Sequence, residues 1–152
     1  MNKMRRSDRE LSREEAMKVL IEGEYGILST AGADGQPYAV PVNYAVDQET
    51  IYIHGTNQAS QKKMNISENP KVCFSVVGKT EVLSSQFSTN YESAVVIGSA
   101  AVSQEPEKGL MLLVDKYSPE FTAEGMKYIK AAVDKVTVME IRIEQLTGKA
   151  RR

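Results

Sequence analysis

Tryptophan is absent from this chain, and histidine and cysteine each occur once, as His54 and Cys73. A single cysteine excludes an internal disulfide framework and any paired-cysteine metal motif. There is no HExxH pair, no nucleophile elbow and no glycine-rich phosphate loop, so standard hydrolase and zinc chemistry are poor candidates and no metal ligands are assigned. Charge of one sign is missing too: 19 basic against 20 acidic residues leave a formal charge of -1, so no global field recommends nucleic acid as a partner. No apolar run is long enough for a bilayer and no signal-peptide core is present, which leads us to expect a soluble protein in the reducing cytoplasm.

What is present fits one domain. At 152 residues the chain is long enough to bury roughly two-thirds of its unfolded surface. Residues 1–11, MNKMRRSDREL, are charged and carry no apolar period, so they are expected to form a solvated arm. Ser12 and Glu15 then have capping-box spacing, and Ala16, Met17, Val19, Leu20 and Ile21 supply the apolar side of a short helix ending near Gly23. From Tyr25 the period changes to two. YGILSTA, a turn over 32–36 with Asp-Gly, PYAVPVNYAV and TIYIHG read as a meander of strands. Pro37 and Pro41 cannot donate to a ladder, so the strand over 39–43 is expected at an edge.

Residues 58–68 predict a short helix that stops before Asn69-Pro70. KVCFSVVG predicts a buried strand, 79–90 a loop or irregular strand, and YESAVVIGSAAVS a long strand. Helices are expected over 107–116 and 120–131, separated by Ser118-Pro119, followed by a last alternating strand in KVTVMEIRIEQLTGKA. Six or so strands with few short helices predict a mainly β, α+β fold, a small barrel of mostly antiparallel strands whose closure removes the sheet edges. A doubly wound parallel sheet is the poorer fit, because the first strands are joined by turns too short for crossovers.

The chemistry concentrates in residues 38–63. His54 falls where a predicted strand gives way to a polar loop, next to Gly55, which permits close backbone approach, and near Thr56, Ser60, Lys62 and Lys63. An imidazole can donate to an anion or move a proton near neutral pH. Hydroxyls and ammonium groups suit a phosphate, although paired lysines are also an ordinary solvated helix face. Cys73 sits inside VCFSVV and is expected as an unreactive core thiol.

Taken in order, MRRSDREL, YGILST, DGQPYAVPVNYA, IYIHG, the lysine before ENPKVCF, YESAVVIGSA and TGKA resemble the flavin-binding split-barrel proteins of the pyridoxamine 5'-phosphate oxidase-related superfamily. The likeness spans nearly the whole chain and is nearest to the nitroimidazole-resistance (Nim) branch. It implies a homodimer that holds FMN at the subunit interface, with FAD or another flavin-like cofactor as alternatives. By position, Pro41, Val42, Asn43 and Tyr44 would lie along the isoalloxazine ring, with His54 near the cofactor. Thr56, Lys62 and Lys63 would approach the phosphate, and Tyr91 and Ser93 would close the pocket.

Two departures stand out from that pattern. Ser60-Gln61-Lys62 replaces the usual Gly-x-Lys, and Tyr91-Glu92-Ser93 carries a carboxylate where an arginine is common. The function implied is a flavin-dependent oxidoreductase reducing nitroimidazoles or other small electrophilic aromatics, with His54 as the catalytic donor. A flavin-sequestering protein without turnover and a haem-binding split barrel with His54 as axial ligand are the alternatives. Pyridoxamine 5'-phosphate oxidation ranks lower, because TGKARR lacks the substrate-binding end that activity resembles.

Overall fold

Ser12 and Glu15 form the expected capping box in the computed structural model, which describes residues 4–152. The Ser12 hydroxyl accepts the Glu15 N–H at 3.2 Å, and the Glu15 carboxylate accepts the Ser12 N–H at 3.0 Å. This starts α1 (Arg13–Glu22), which buries Ala16, Val19 and Leu20 but leaves Ile21 exposed, against expectation. Ile21 follows Leu20 on the helix and points about 100° away from the buried stripe. The charged arm is not wholly free. Its first three residues lie outside the described ones, but Glu10–Leu11 forms a short strand, β1, and Leu11 packs against the core.

The remaining elements are β2 (Gly26–Ala31), β3 (Pro37–Val42), β4 (Ala45–Asp47), β5 (Thr50–Thr56), α2 (Gln61–Glu68), β6 (Lys71–Leu83), β7 (Ser88–Val102), α3 (Pro106–Tyr117), α4 (Thr122–Ala132) and β8 (Val136–Arg151). All strand pairs are antiparallel, in the order β3-β2-β6-β7-β8-β5-β4, with β1 added to β8. The fold is mainly β with flanking helices, a split barrel. The hydrogen-bonded path does not close on itself, which corrects the expectation that closure removes the edges. Its two ends, β3 and β4, are consecutive in sequence and joined only through Asn43 and Tyr44. Pro37 and Pro41 sit in the end strand β3, where one side needs no donors.

Inside the barrel, period-two patterning buries Leu28 of β2, Val72, Phe74 and Val76 of β6, Val96 of β7 and Ile141 of β8. Tyr44 meets Phe74 edge-on at 4.9 Å between centroids, and its hydroxyl donates to the Leu20 carbonyl. The strand expected to be buried, KVCFSVVG, buries only its inward residues and runs on to Leu83. Cys73 is therefore half-buried on the outer face rather than in the core, and partial desolvation raises its thiol pKa. The region 79–90 is a β6–β7 hairpin turned by a short helical turn at Ser84–Gln86, with Phe87 at φ 49° and 98% exposed.

β5 and the start of β8 bury both faces. Ile51 and Ile53 enter the barrel, whereas Tyr52 faces outward into a second cluster with Leu110 and Leu113 of α3, Ile129 of α4 and Val138 of β8. Gly109 makes this docking close: a Cβ there would stand 2.6 Å from Val138 Cγ1 and 3.0 Å from Tyr52 Cδ1.

Candidate functional site

His54 lies two residues beyond Tyr52 on β5, so its side chain emerges on the same outward face, toward α3 and α4. It is inside the strand rather than at its end, paired opposite Val138 of β8. On the other side β4 covers only Thr50 to Tyr52, which leaves the edge of β5 from Ile53 to Thr56 without a ladder partner among the described residues. His54 and Asn43 line one cavity, whose walls are the apolar inner sides of α3 and α4. Partial burial, and then the charge of Lys62, lower the His54 pKa below its ordinary 6.5, so the imidazole is neutral at pH 7.

α2 starts directly beyond this edge. Ser60 is its N-cap residue, yet its hydroxyl makes no capping bond, and its Oγ is buried without a hydrogen-bond partner. An orphaned hydroxyl is costly, and a helix N-terminus exposes N–H donors and positive dipole charge. No acidic residue occupies the first turn of α2; Lys62 and Lys63 do, the wrong sign for the dipole unless an anion joins them. The two lysines differ in what they do. Lys63 Nζ donates to the carbonyls of Thr56 and Gln58 and to Thr137 Oγ1, so its donors are used within the fold. Lys62 Nζ reaches back over Gly55, 3.7 Å from where a Cβ would stand, and makes no ion pair among the described residues. Ser60, Lys62 and the open N–H groups of α2 fit a phosphate; Lys63 instead braces the loop.

Because the chain has one histidine, its titration can be read without assignment. Replacing Lys62 by glutamine should raise the His54 pKa, since a nearby positive charge that opposes protonation is removed. Imidazole NMR shifts followed against pH measure this directly. An unchanged midpoint would mean that Lys62 points away from His54.

Pro41, Val42 and Asn43 line a shallow groove with Glu24, Tyr25 and Tyr117 beside the free side of β3. Tyr44 was expected in this row, but its side chain is fully buried in the barrel and cannot face the groove. Period two explains it: Tyr44 begins the turn into β4 with its ring inward. Tyr117, which the sequence reading did not single out, holds this corner. Its hydroxyl accepts the Tyr44 N–H at 3.0 Å and donates to the Glu24 carbonyl at 2.6 Å, with the Tyr44 carbonyl at 3.1 Å.

Next to it, Lys116 Nζ is buried without a hydrogen-bond partner, 3.7 Å from the centroid of the Tyr44 ring. Burial lowers its pKa to about 8, and the ring face offsets part of that cost. The folded pKa is below the unfolded 10.5, so the penalty is full below about pH 8 and disappears as pH rises toward 10.5. Lys116→Met should therefore stabilise the fold by about 1 kcal/mol at pH 7, discounted for partial exposure, with the gain vanishing by pH 10.5. Urea unfolding of both proteins across that range checks it. A gain that does not fall with pH would place the effect elsewhere.

Tyr91 and Ser93 lie far from His54 within one chain. They pair with Arg151 and Lys149, at the opposite end of β8 from Val138. There the Tyr91 phenol has its pKa lowered, first by a hydrogen bond from Arg9 and also by Lys149. Glu92 does not stand unopposed, since Arg152 Nε bonds its carboxylate at 3.2 Å.

The family model for pyridoxamine 5'-phosphate oxidase matches residues 12–150, the capping box through the end of β8. The chain belongs to this family. Among curated proteins, a 5a,11a-dehydrotetracycline/5a,11a-dehydrooxytetracycline reductase of Streptomyces rimosus is 42% identical over 55 residues, which is 34% of this chain and 39% of the reductase. The chain thus aligns with well under half of that enzyme. A solved structure from Bacteroides thetaiotaomicron, provisionally assigned to 5-nitroimidazole antibiotic resistance, superposes with a TM-score of 0.78 at 20% identity, covering 93% of this chain and 86% of that one. An FAD and heme binding protein from Mycobacterium smegmatis gives a TM-score of 0.78 at 23% identity, covering 93% and 72%. At those identities the two structures share the fold of this family member.

Proposed function

We propose that this family member is a flavin-dependent oxidoreductase that passes electrons to small, flat, electrophilic compounds, nitroaromatics such as nitroimidazoles among them. The observation that carries the reading is the pairing of a phosphate-suited helix start, Ser60 and Lys62 on α2, with a neutral imidazole on the adjoining free edge of β5. FMN is the simplest cofactor for it, because one phosphate meets one such site; FAD has the same end group joined to a further nucleotide. The bound flavin supplies the electron transfer. The protein holds and orients. Lys62 and the α2 N–H groups neutralise the phosphate, and the free backbone along Pro41 to Asn43 and Ile53 to Thr56 offers donors and acceptors to the ring edge. His54 directs its ring N–H at an acceptor group that gains negative charge during reduction.

The assembly in this reading is a homodimer. The outer face of β2, β6, β7 and β8 carries aligned rows, Ile27–Ser75–Val95–Thr147 and Ser29–Cys73–Ile97–Gln145, of uncharged residues that are small or apolar except for Gln145. The helices lie elsewhere: α1 and α2 send Val19, Leu20 and Ile66 to the interior, while α3 and α4 cover β5 and β8. A second copy on this bare face would bring its Tyr91 and Ser93, with Arg9 and Lys149 beside them, to the groove they cannot reach in their own chain. The dehydrotetracycline reductase supports a reducing role, and the M. smegmatis protein supports a flavin on this fold.

The test is the absorption spectrum of the purified protein with and without added FMN, with chromatography of whatever acid releases. Stoichiometric flavin that weakens about tenfold in Lys62→Gln is the expected result. Neither bound nor acquired flavin would remove the proposal.

A further inference from the structure

A second compartment meets the first at His54. α4 lies close against α3 because residue 125 is glycine: a Cβ there would stand 2.6 Å from Val114 Cγ1. Between the two helices and β5 is a cavity of ≈ 540 Å³, inside the range of roughly 300–1,000 Å³ usual for small-molecule sites. Leu110, Leu113, Val114 and Ile129 are among its walls, and Phe121 and Tyr128 also line it while remaining 59% and 73% exposed. Large exposed aromatics at an open cavity are costly to keep unless something stacks on them.

The polar groups in this lining decide what enters. Asn43 and His54 stand on the strand side, Tyr117 and Ser118 add hydroxyls at the end of α3, and Glu124 is the only carboxylate among the described residues. Among the described residues no lysine or arginine lines the cavity, and neither do Ser60 or Thr56. A flavin phosphate would find no partner here and would be repelled by Glu124, so this volume is not the phosphate end of the groove. Glu124 itself makes no ion pair among the described residues. Glu124 is solvent-exposed, so its charge acts partly screened by water, and it favours a cationic ligand over an anionic one at this wall.

We infer that the α3–α4 cavity is the acceptor-substrate compartment and that Glu124 selects a flat, largely apolar ring system bearing a protonated amine, with its electrophilic end against His54. This rests on the flavin reading above and names the substrate class of that site. Two helices and an edge strand give a largely apolar slot, with a neutral imidazole and an amide on its strand side and a carboxylate contributed by α4. Polar groups of different kind on different walls orient an occupant as well as hold it.

Calorimetric titration of the protein, flavin-loaded where it loads, tests this with two planar tricyclic probes, the cationic 9-aminoacridine and the anionic anthracene-2-sulfonate. The amine should bind with one site per chain, at least about tenfold more tightly than the sulfonate. Glu124→Gln should weaken the amine by about five- to tenfold and narrow the gap between probes, without changing flavin loading or the urea midpoint. Ala132→Trp, which fills the cavity from α4, should weaken both probes. Equal affinity for the two probes in the wild type, or a gap that Glu124→Gln leaves intact, overturns the inference. Charge discrimination in a protein that takes up no flavin would leave the compartment standing and remove the flavin reading. Flavin loading without discrimination would do the reverse.

Discussion

Replacing His54 by alanine should slow reduction of a nitroaromatic acceptor by about a hundredfold while the flavin stays bound. The expectation follows from position. His54 faces the α3–α4 cavity from β5, whereas the phosphate-suited groups, Ser60 and Lys62, belong to α2. Loss of one aimed donor or acid commonly costs about 10²–10⁴ in rate, and a neutral imidazole, being the weaker acid, belongs at the low end. Anaerobic stopped-flow reoxidation of the pre-reduced flavin isolates this step from the identity of the electron donor. The wild-type rate should rise as pH falls through the lowered His54 pKa, because the imidazolium donates more strongly, and that inflection should vanish in the variant. His54→Gln, which keeps an N–H donor but cannot titrate, should recover part of the rate and none of the pH dependence. An alanine variant that reoxidises at the wild-type rate would sink the assignment.

Gly98→Ala should cost about 3 kcal/mol of stability. Gly98 sits where the β7–β8 register shifts, pairing with Ile143 after Ile97 has paired with Gln145. A Cβ on it would lie 2.2 Å from the Arg142 carbonyl oxygen. That atom is backbone in the middle of the longest ladder, so no side chain can swing aside and the strands must part. β8 also carries Val138 opposite His54, so parting the ladder loosens the site from behind. Gly55→Ala is the control: its nearest atom would be Lys62 Nζ at 3.7 Å, ordinary contact with the movable end of a side chain. Urea denaturation should separate the two by most of that 3 kcal/mol. Equal midpoints would show that the bulge relaxes.

How far the sequence could be read depends on the range of the interaction involved. The capping box, the Asp-Gly turn, the edge placement of the Pro37/Pro41 strand and the helix before Asn69-Pro70 are governed by contacts a few residues apart, and all are present. Cys73 shows where local reading stops. An apolar run identifies a strand but not which of its faces is covered, and that depends on which neighbours stack on it. Tyr44 fails in the same way, since one step of period two sends its ring into the barrel instead of the groove.

The site divides along the same line. His54, Gly55 and Lys62 lie within nine residues, so their grouping was visible in order and spacing. Lys63 was visible as well, but its commitment to the Thr56 and Gln58 carbonyls and to Thr137 appears only when β8 is laid beside β5. Tyr117 gave no signal because its hydroxyl bonds Tyr44 and Glu24, more than seventy residues away, and Glu124 gave none because the cavity it lines is completed by Asn43 and His54 from the first half of the chain.

By itself the sequence determined the period of each segment, the stops between them, the lack of paired-cysteine and HExxH motifs, and a lone histidine in a setting suited to an anion. Those are properties of neighbouring residues and of composition. Only the tertiary structure decided that the barrel stays open between β3 and β4, that Tyr91 and Ser93 stand at the other end of β8 from His54, and that two helices late in the chain wall a cavity onto β5. Such choices depend on which surfaces meet after the chain has turned back on itself, and no local period encodes that.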